Sequence, residues 1–113
     1  MNNISPQLQN QIVQFQQTQQ QLQAVSTQKV QMEAQKKEME RTSEELSKAT
    51  GDVYKNVGSL LIKVDDKNKV KADLDESIEN LDIRVKGLER QEKTLREKYE
   101  SLQETINKAM GQE

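Results

Sequence analysis

The most constraining feature of this sequence is a long heptad run in its second half, where apolar residues recur at alternating steps of four and three. Such spacing predicts a left-handed coiled coil that buries one narrow apolar seam. Glu92 interrupts the seam with a carboxylate. The run comprises Leu74, Ile78, Leu81, Val85, Leu88, Glu92, Leu95, Tyr99, Leu102, Ile106 and Ala109.

The first half carries a weaker heptad pattern. Leu8, Phe15 and Leu22 share one seven-residue spacing, and Val25, Met32, Met39 and Leu46 share another. The step from Leu22 to Val25 is three where four was due, which predicts a stammer that overwinds the coil locally. The seam positions between these residues are polar: Gln19, Lys29, Lys36 and Ser43.

Antiparallel pairing of the two heptad runs predicts a specific polar contact. Aligning Leu46 with Leu74 places Lys29 opposite Glu92, so we expect these two side chains to meet near the stammer. The alternative is that both long side chains extend to water.

Helix-ending residues divide the chain into three elements. Ser5 is predicted to cap the first helix, and Pro6 to occupy its first position. Gly51 is predicted to end that helix. Asp65 or Asp66 is predicted to cap a second helix, which runs to Gly111. We therefore predict one domain over residues 1–113, of mainly α class. It consists of a helix over 6–50, a β-hairpin over 52–64 and a helix over 66–110, with the helices paired as an antiparallel coiled coil.

The middle element is predicted as strands from its β-branched and aromatic residues around Gly58-Ser59. A continuous helix is the alternative, and two glycines count against it. A lone two-stranded ribbon is marginal in water, and its edges are open to pairing. We expect hairpins of several chains to form a shared sheet or barrel, although the helices alternatively shield one face.

The first 28 residues carry no charged side chain and are rich in glutamine, whereas charges of both signs alternate from Lys29 onward. In an antiparallel hairpin of helices, this stretch lies beside the C-terminal residues Ile106 and Met110. The resulting tip is interpreted either as a solvated coil or as a pliable surface for apolar segments of a partner.

Composition excludes several functional classes. The chain has no Cys and no His, so disulfides, thiol nucleophiles, imidazole bases and metal sites with those ligands are excluded. No phosphate-binding glycine motif occurs, and we expect no enzyme activity and no cofactor. Interspersed charges give no footprint for nucleic acid, and no membrane span or leader is expected. A cytoplasmic protein is predicted.

Glutamine-rich motifs in the first helix occur together with one hairpin motif: Pro6-Gln7-Leu8-Gln9-Asn10-Gln11, Phe15-Gln16-Gln17, Gln20-Gln21-Leu22-Gln23, Gln31-Met32-Glu33-Ala34-Gln35 and Val53-Tyr54-Lys55-Asn56-Val57-Gly58, followed by Leu61-Ile62. With these motifs the chain resembles the beta-class subunits of archaeal prefoldin over essentially its whole length. The single hairpin is similar to the beta class, because alpha-class subunits carry two. Lys36 departs from the family pattern, which often has an apolar residue there.

The resemblance implies an ATP-independent chaperone that holds non-native proteins at coiled-coil tips and delivers them to a group II chaperonin. It implies a heterohexamer of two alpha and four beta subunits, joined by a β-barrel of hairpins. The barrel role falls on Val53, Tyr54, Val57, Leu60, Leu61, Ile62 and Val64, and the client-binding role on Leu8, Ile12, Val13, Phe15, Ile106 and Met110. The alternative function is a structural or adaptor coiled-coil dimer, which explains the heptads equally well but the hairpin poorly.

Overall fold

The computed structural model describes residues 4–111 and contains two long helices with a β-hairpin between them. In chain order the elements are α1 (Pro6–Lys48), β1 (Tyr54–Val57), β2 (Leu60–Lys63) and α2 (Lys67–Ala109). The predicted fold class, helix–hairpin–helix and mainly α, is thus confirmed. The first helix begins at the predicted residue and ends two residues early, and the second is one residue shorter at each end. The single-domain organisation of residues 1–113 stays a prediction.

Side-chain caps start both helices, as the sequence predicts. The Leu8 backbone N–H donates to the Ser5 hydroxyl at 3.1 Å, and Pro6 occupies the first helical position, where no N–H is needed. At the second helix, the Lys69 N–H donates to the Asp66 carboxylate at 3.1 Å. Each cap satisfies one of the backbone donors that a helix start leaves unpaired.

The two helices end differently. Gly111 follows α2 with a φ of 74° and donates its N–H to the Lys108 carbonyl at 3.1 Å, which is the left-handed ending that glycine favours. Gly51 has no such conformation, and α1 ends three residues earlier, at Lys48. Here the Lys67 ammonium donates to the Ala49 carbonyl at 2.6 Å and ties the end of one helix to the start of the other.

The strands form an antiparallel hairpin in which Tyr54 pairs with Lys63 and Val57 with Leu60. A two-residue turn of Gly58 and Ser59 joins them, and only Gly58 has a positive φ, 59°. A positive φ at the first central position alone is the pattern of a type II′ turn, whose backbone twist matches the twist of the paired strands. The backbone pairing continues one step outward, where the Val64 N–H donates to the Val53 carbonyl at 2.8 Å.

The heptad of α1 is continuous, so the predicted stammer is wrong. The less exposed positions of α1 include a run from Leu8 to Leu46 in unbroken alternating steps of three and four, and Thr18 rather than Gln19 belongs to it. Thr18 is the most buried side chain described, at 1% exposure. The heptad position between Phe15 and Leu22 is held by the polar residue Thr18. A pattern followed through apolar residues alone misses it, and the heptad therefore seems to shift.

Two compact units divide the chain, one of residues 1–30 with 86–113 and the other of residues 31–85. In the first, Phe15 meets Tyr99 and Lys29 meets Glu92, so the two helical segments run antiparallel. In the second, contacts of Lys36 with Asp82 and of Ser43 with Asp75 show the same antiparallel arrangement. Each unit buries its own small set of leucines and valine: Leu8 and Leu88 in the first, and Leu46, Leu81 and Val85 in the second.

Among residues 4–111, no helix is both long and apolar enough to cross a membrane.

Candidate functional site

Two surfaces, one in each compact unit, hold all the residues predicted to be functional except Leu8 and Val13. The first, which we call the hairpin surface, consists of Val53, Tyr54, Val57, Leu60, Leu61, Ile62 and Val64. The second is a concave site next to the start of α1 and the end of α2, which we call the terminal cavity. Its lining residues are Ile12, Phe15, Gln16, Gln19, Gln103, Ile106, Asn107 and Met110.

Most of the hairpin surface is open to solvent. Leu61 is 72% exposed, Leu60 63% and Ile62 49%, values that are unusual for adjacent large apolar side chains in water. By the register of the strands, Val57, Leu60 and Ile62 lie on one face of the ribbon, and Leu61 lies on the other. Apolar groups therefore project from both faces of the ribbon.

The remaining hairpin residues line a second cavity, formed with the helix ends of the same unit. Val53, Tyr54 and Val64 border it, together with Leu46 and Leu74 and other residues of the unit. The seven predicted assembly residues are thus divided: three line a cavity against the helices, and Val57, Leu60, Leu61 and Ile62 lie outside it.

Four of the six predicted client-binding residues come together in the terminal cavity. Ile12 and Phe15 from α1 and Ile106 and Met110 from α2 all line it. Leu8 does not, because its side chain packs into the interior at 9% exposure. Val13 is 49% exposed, yet it lies outside the cavity lining.

The structure adds residues that the sequence analysis missed. Four amide side chains complete the lining: Gln16, Gln19, Gln103 and Asn107. Phe15 also stacks on Tyr99, with ring centroids 4.6 Å apart and planes inclined at 24°. The heptad places Tyr99 in the seam, but nothing in the spacing indicates that its partner is the aromatic ring at the cavity.

Among the described residues that line the terminal cavity, none is ionisable. Residues 4–28 of α1 and its approach carry no charge at all. On α2, Glu104 and Lys108, which lie among the lining residues in sequence, form an ion pair with each other at 3.0 Å. The site is consequently suited to neutral ligands with apolar and amide groups, and offers no acid, base or nucleophile for catalysis.

The charged positions of the seam form a separate polar cluster in the first unit. Lys29 donates to Glu92 at 2.8 Å and the Ser26 hydroxyl donates to the other carboxylate oxygen at 2.6 Å. These hydrogen bonds, that of Lys29 first and that of Ser26 second, lower the pKa of Glu92 below its ordinary value of 4.5. The predicted Lys29–Glu92 contact is confirmed, and neither side chain extends into water: they are 21% and 10% exposed.

A comparable arrangement occurs in the second unit. Hydrogen bonds from Lys71 and then Ser43 lower the pKa of Asp75, and the hydrogen bond to Asp82 raises the pKa of Lys36. Lys36 thus keeps its charge, and its ammonium lies 2.7 Å from the Asp82 carboxylate. No group of three or more His, Cys, Asp or Glu residues suited to a metal ion occurs in the described part of the chain.

Comparison with known proteins relates the whole chain to one family. A family model described as prefoldin subunit matches residues 9–113. The crystal structure of the prefoldin beta subunit from Thermococcus strain KS-1 is similar, with a TM-score of 0.85 and 40% sequence identity over 96% of this chain and 96% of that chain. A search of curated proteins finds no match.

Proposed function

This chain belongs to the prefoldin family, and we propose that it is a chaperone subunit that captures non-native polypeptides in its terminal cavity without ATP. Family membership implies hetero-oligomeric assembly with other prefoldin subunits. We further propose the stoichiometry of two alpha and four beta subunits, a cytoplasmic location, and delivery of the captured proteins to a group II chaperonin.

Assembly is assigned to the hairpin surface. A two-stranded ribbon leaves the outer N–H and C=O groups of both strands unpaired, and other strands satisfy them by edge-to-edge pairing. Closing such strands into a barrel also buries side chains that project from the ribbon. The exposed Leu60, Leu61 and Ile62 supply the apolar surface that makes this burial favourable.

Client capture is assigned to the terminal cavity, and its uncharged lining is the observation that carries the proposal. Ile12, Phe15, Ile106 and Met110 provide an apolar surface for side chains of an unfolded segment. Met110 is 49% exposed, and its flexible thioether adapts to side chains of different shape. Leu8 and Val13, which were predicted to share this role, stay predictions as client contacts.

Multivalency makes weak contacts sufficient. One small apolar cavity binds any given segment weakly, but several copies in one assembly raise the effective concentration of the next cavity. A folded client has buried its apolar segments and is released. The cycle needs no nucleotide, because folding of the client itself removes the binding groups.

The test is to place charge in the cavity and measure chaperone activity of the purified hetero-oligomer. Ile12→Glu with Met110→Glu introduces two carboxylates where a client needs an apolar surface. We expect this variant to lose suppression of light scattering from denatured citrate synthase. The matched control, Val30→Glu with Ile83→Glu, adds the same charge at two exposed apolar residues outside the cavity. Equal protection by both variants contradicts the assignment.

A further inference from the structure

The terminal cavity is lined by four amide side chains, to which binding of apolar client side chains assigns no role. Gln16 and Gln19 are spaced three apart on α1, and Gln103 and Asn107 are spaced four apart on α2. These are the spacings that place neighbouring side chains on one helix face. We call these four residues the amide rim. All four are exposed, and within residues 4–111 none of them forms a side-chain hydrogen bond or ion pair.

Carboxamides are chemically matched to a polypeptide main chain. Each carries one carbonyl acceptor and two N–H donors, with no net charge. The terminal torsion of glutamine has broad, roughly two-fold preferences, so one amide can present either its oxygen or its nitrogen to the same place. A main chain offers one donor and one acceptor at every residue except proline, which lacks the donor. Recognition of this kind is independent of the client's side chains.

Charge further restricts what the cavity holds. Within residues 4–111 its lining has no ionisable group, and Glu104 and Lys108 already pair with each other. A charged client side chain entering the cavity loses hydration without meeting an opposite charge among the described lining residues, which is costly. A segment with neutral side chains avoids this cost.

From this juxtaposition we propose that the amide rim binds the main chain of an extended, uncharged client segment whose apolar side chains contact Ile12, Phe15, Ile106 and Met110. The inference rests on the proposed capture function and adds a second release condition. Once a client segment forms a helix or joins a sheet, its own N–H and C=O groups are paired and the rim has nothing left to bind. Release therefore begins with client secondary structure, before its apolar side chains are fully buried.

The probe is a fluorescein-labelled octapeptide of alternating leucine and serine with blocked ends, used with the full chain in fluorescence anisotropy. A second peptide is N-methylated at each serine, which removes main-chain donors and keeps every side chain. Each hydrogen bond lost weakens binding about two- to tenfold. We expect the methylated peptide to bind at least about tenfold more weakly than the parent.

For protein variants of the cavity, main-chain recognition and purely apolar capture predict opposite changes in peptide affinity. Gln16→Leu with Gln103→Leu makes the cavity more apolar but removes two rim amides. Main-chain recognition predicts weaker binding of the parent peptide, whereas purely apolar capture predicts tighter binding. The control, Gln17→Leu with Gln20→Leu, changes two exposed glutamines of α1 outside the cavity and is expected to bind as the wild type does.

The outcomes separate this inference from the function on which it rests. Weaker binding of the methylated peptide and weaker binding to the Gln16→Leu, Gln103→Leu variant support the rim. Equal binding of the two peptides, or tighter binding by that variant, overturns the rim and leaves apolar capture standing. If neither peptide binds the wild type, and the two-glutamate variant of the cavity still suppresses aggregation fully, capture in the cavity fails and the rim fails with it.

Discussion

The ammonium nitrogen of Lys29 lies 2.8 Å from a carboxylate oxygen of Glu92, a glutamate that is only 8% exposed. Both residues occupy heptad positions that an ordinary coiled coil fills with apolar side chains. Ser26 adds a hydrogen bond of 2.6 Å to the same carboxylate. A polar contact of this kind is satisfied in one alignment of the two helical segments, so we expect it to fix their register more than their stability.

A mutant cycle tests the value of this pair. Lys29→Leu removes the ammonium while the Glu92 carboxylate stays buried, and we expect it to lower the free energy of unfolding by about 1–3 kcal/mol. Lys29→Leu with Glu92→Leu fills both positions with apolar groups, and we expect it to recover most of that loss. Urea unfolding followed by circular dichroism measures both.

The exposed pair of Glu44 and Lys48 is the control for that cycle. Its side chains are each 66% exposed at a distance of 3.1 Å, and such pairs contribute about 0–1 kcal/mol. Lys48→Leu is therefore expected to change stability little. If Lys29→Leu costs no more than Lys48→Leu, burial does not strengthen the Lys29–Glu92 contact.

Stability is expected to fall on the acid side through Glu92. Its pKa is lowered from the ordinary 4.5, first by the Lys29 hydrogen bond and then by Ser26, so near that pH the unfolded chain binds more protons than the folded chain. The contribution of Glu92 is complete above about pH 4.5 and is lost as the pH falls through the lowered folded value. Unfolding curves between about pH 6 and pH 3 measure it. Glu92→Gln should flatten this dependence, and an unchanged slope would refute the linkage.

The continuous phase of α1 makes a prediction at two adjacent residues. Thr18 is 1% exposed and belongs to the heptad, whereas its neighbour Gln19 is exposed. Thr18→Lys overfills a packed position and brings a charge into it, so we expect a loss of about 1–3 kcal/mol in the free energy of unfolding. Gln19→Lys is expected to stay within about 0.5 kcal/mol of the wild type. A larger loss of stability from Gln19→Lys than from Thr18→Lys would instead support the stammer.

Assembly is predicted to depend on the hairpin surface. Leu61→Glu with Ile62→Glu puts charges on both faces of the ribbon, where an interface would have to desolvate them. Native mass spectrometry of complexes recovered through a tagged copy should show a six-chain assembly for the wild type and none for this variant. Ile83→Glu, a charge at an apolar position of α2 whose exposure of 61% lies between those of Leu61 and Ile62, should assemble normally. A plain dimer for the wild type favours the adaptor alternative.

The sequence predicts those parts of the fold where local chemistry carries the information. Local sequence signals predict three features that the structure contains. These are the α2 heptads, from apolar spacing; the Gly58-Ser59 turn, from its glycine; and the helix caps at Ser5 and Asp66, from their side-chain oxygens. The Lys29–Glu92 contact followed from the register alone, because a single pair of leucines aligned the two runs.

The remaining features depend on contacts that apolar spacing does not encode. Thr18 continues a heptad with a polar side chain, and a search for apolar residues passes over it. Leu8 stays a prediction as a client contact, and the apolar spacing that places it in the heptad does not show that its side chain is only 9% exposed. The sequence showed the amide rim only as general glutamine richness. Packing of the start of α1 against α2 decides which of these glutamines border the cavity.

The tyrosines offer a spectroscopic use of the Phe15–Tyr99 stack. The chain has no tryptophan and two tyrosines, Tyr54 in one compact unit and Tyr99 in the other. A Tyr54→Phe protein therefore has Tyr99 as its one strong ultraviolet fluorophore, and the Tyr99 ring lies 4.6 Å from the Phe15 ring that lines the terminal cavity. Its near-ultraviolet dichroism and emission would report client entry directly, without a label, when the client contains no tyrosine or tryptophan of its own.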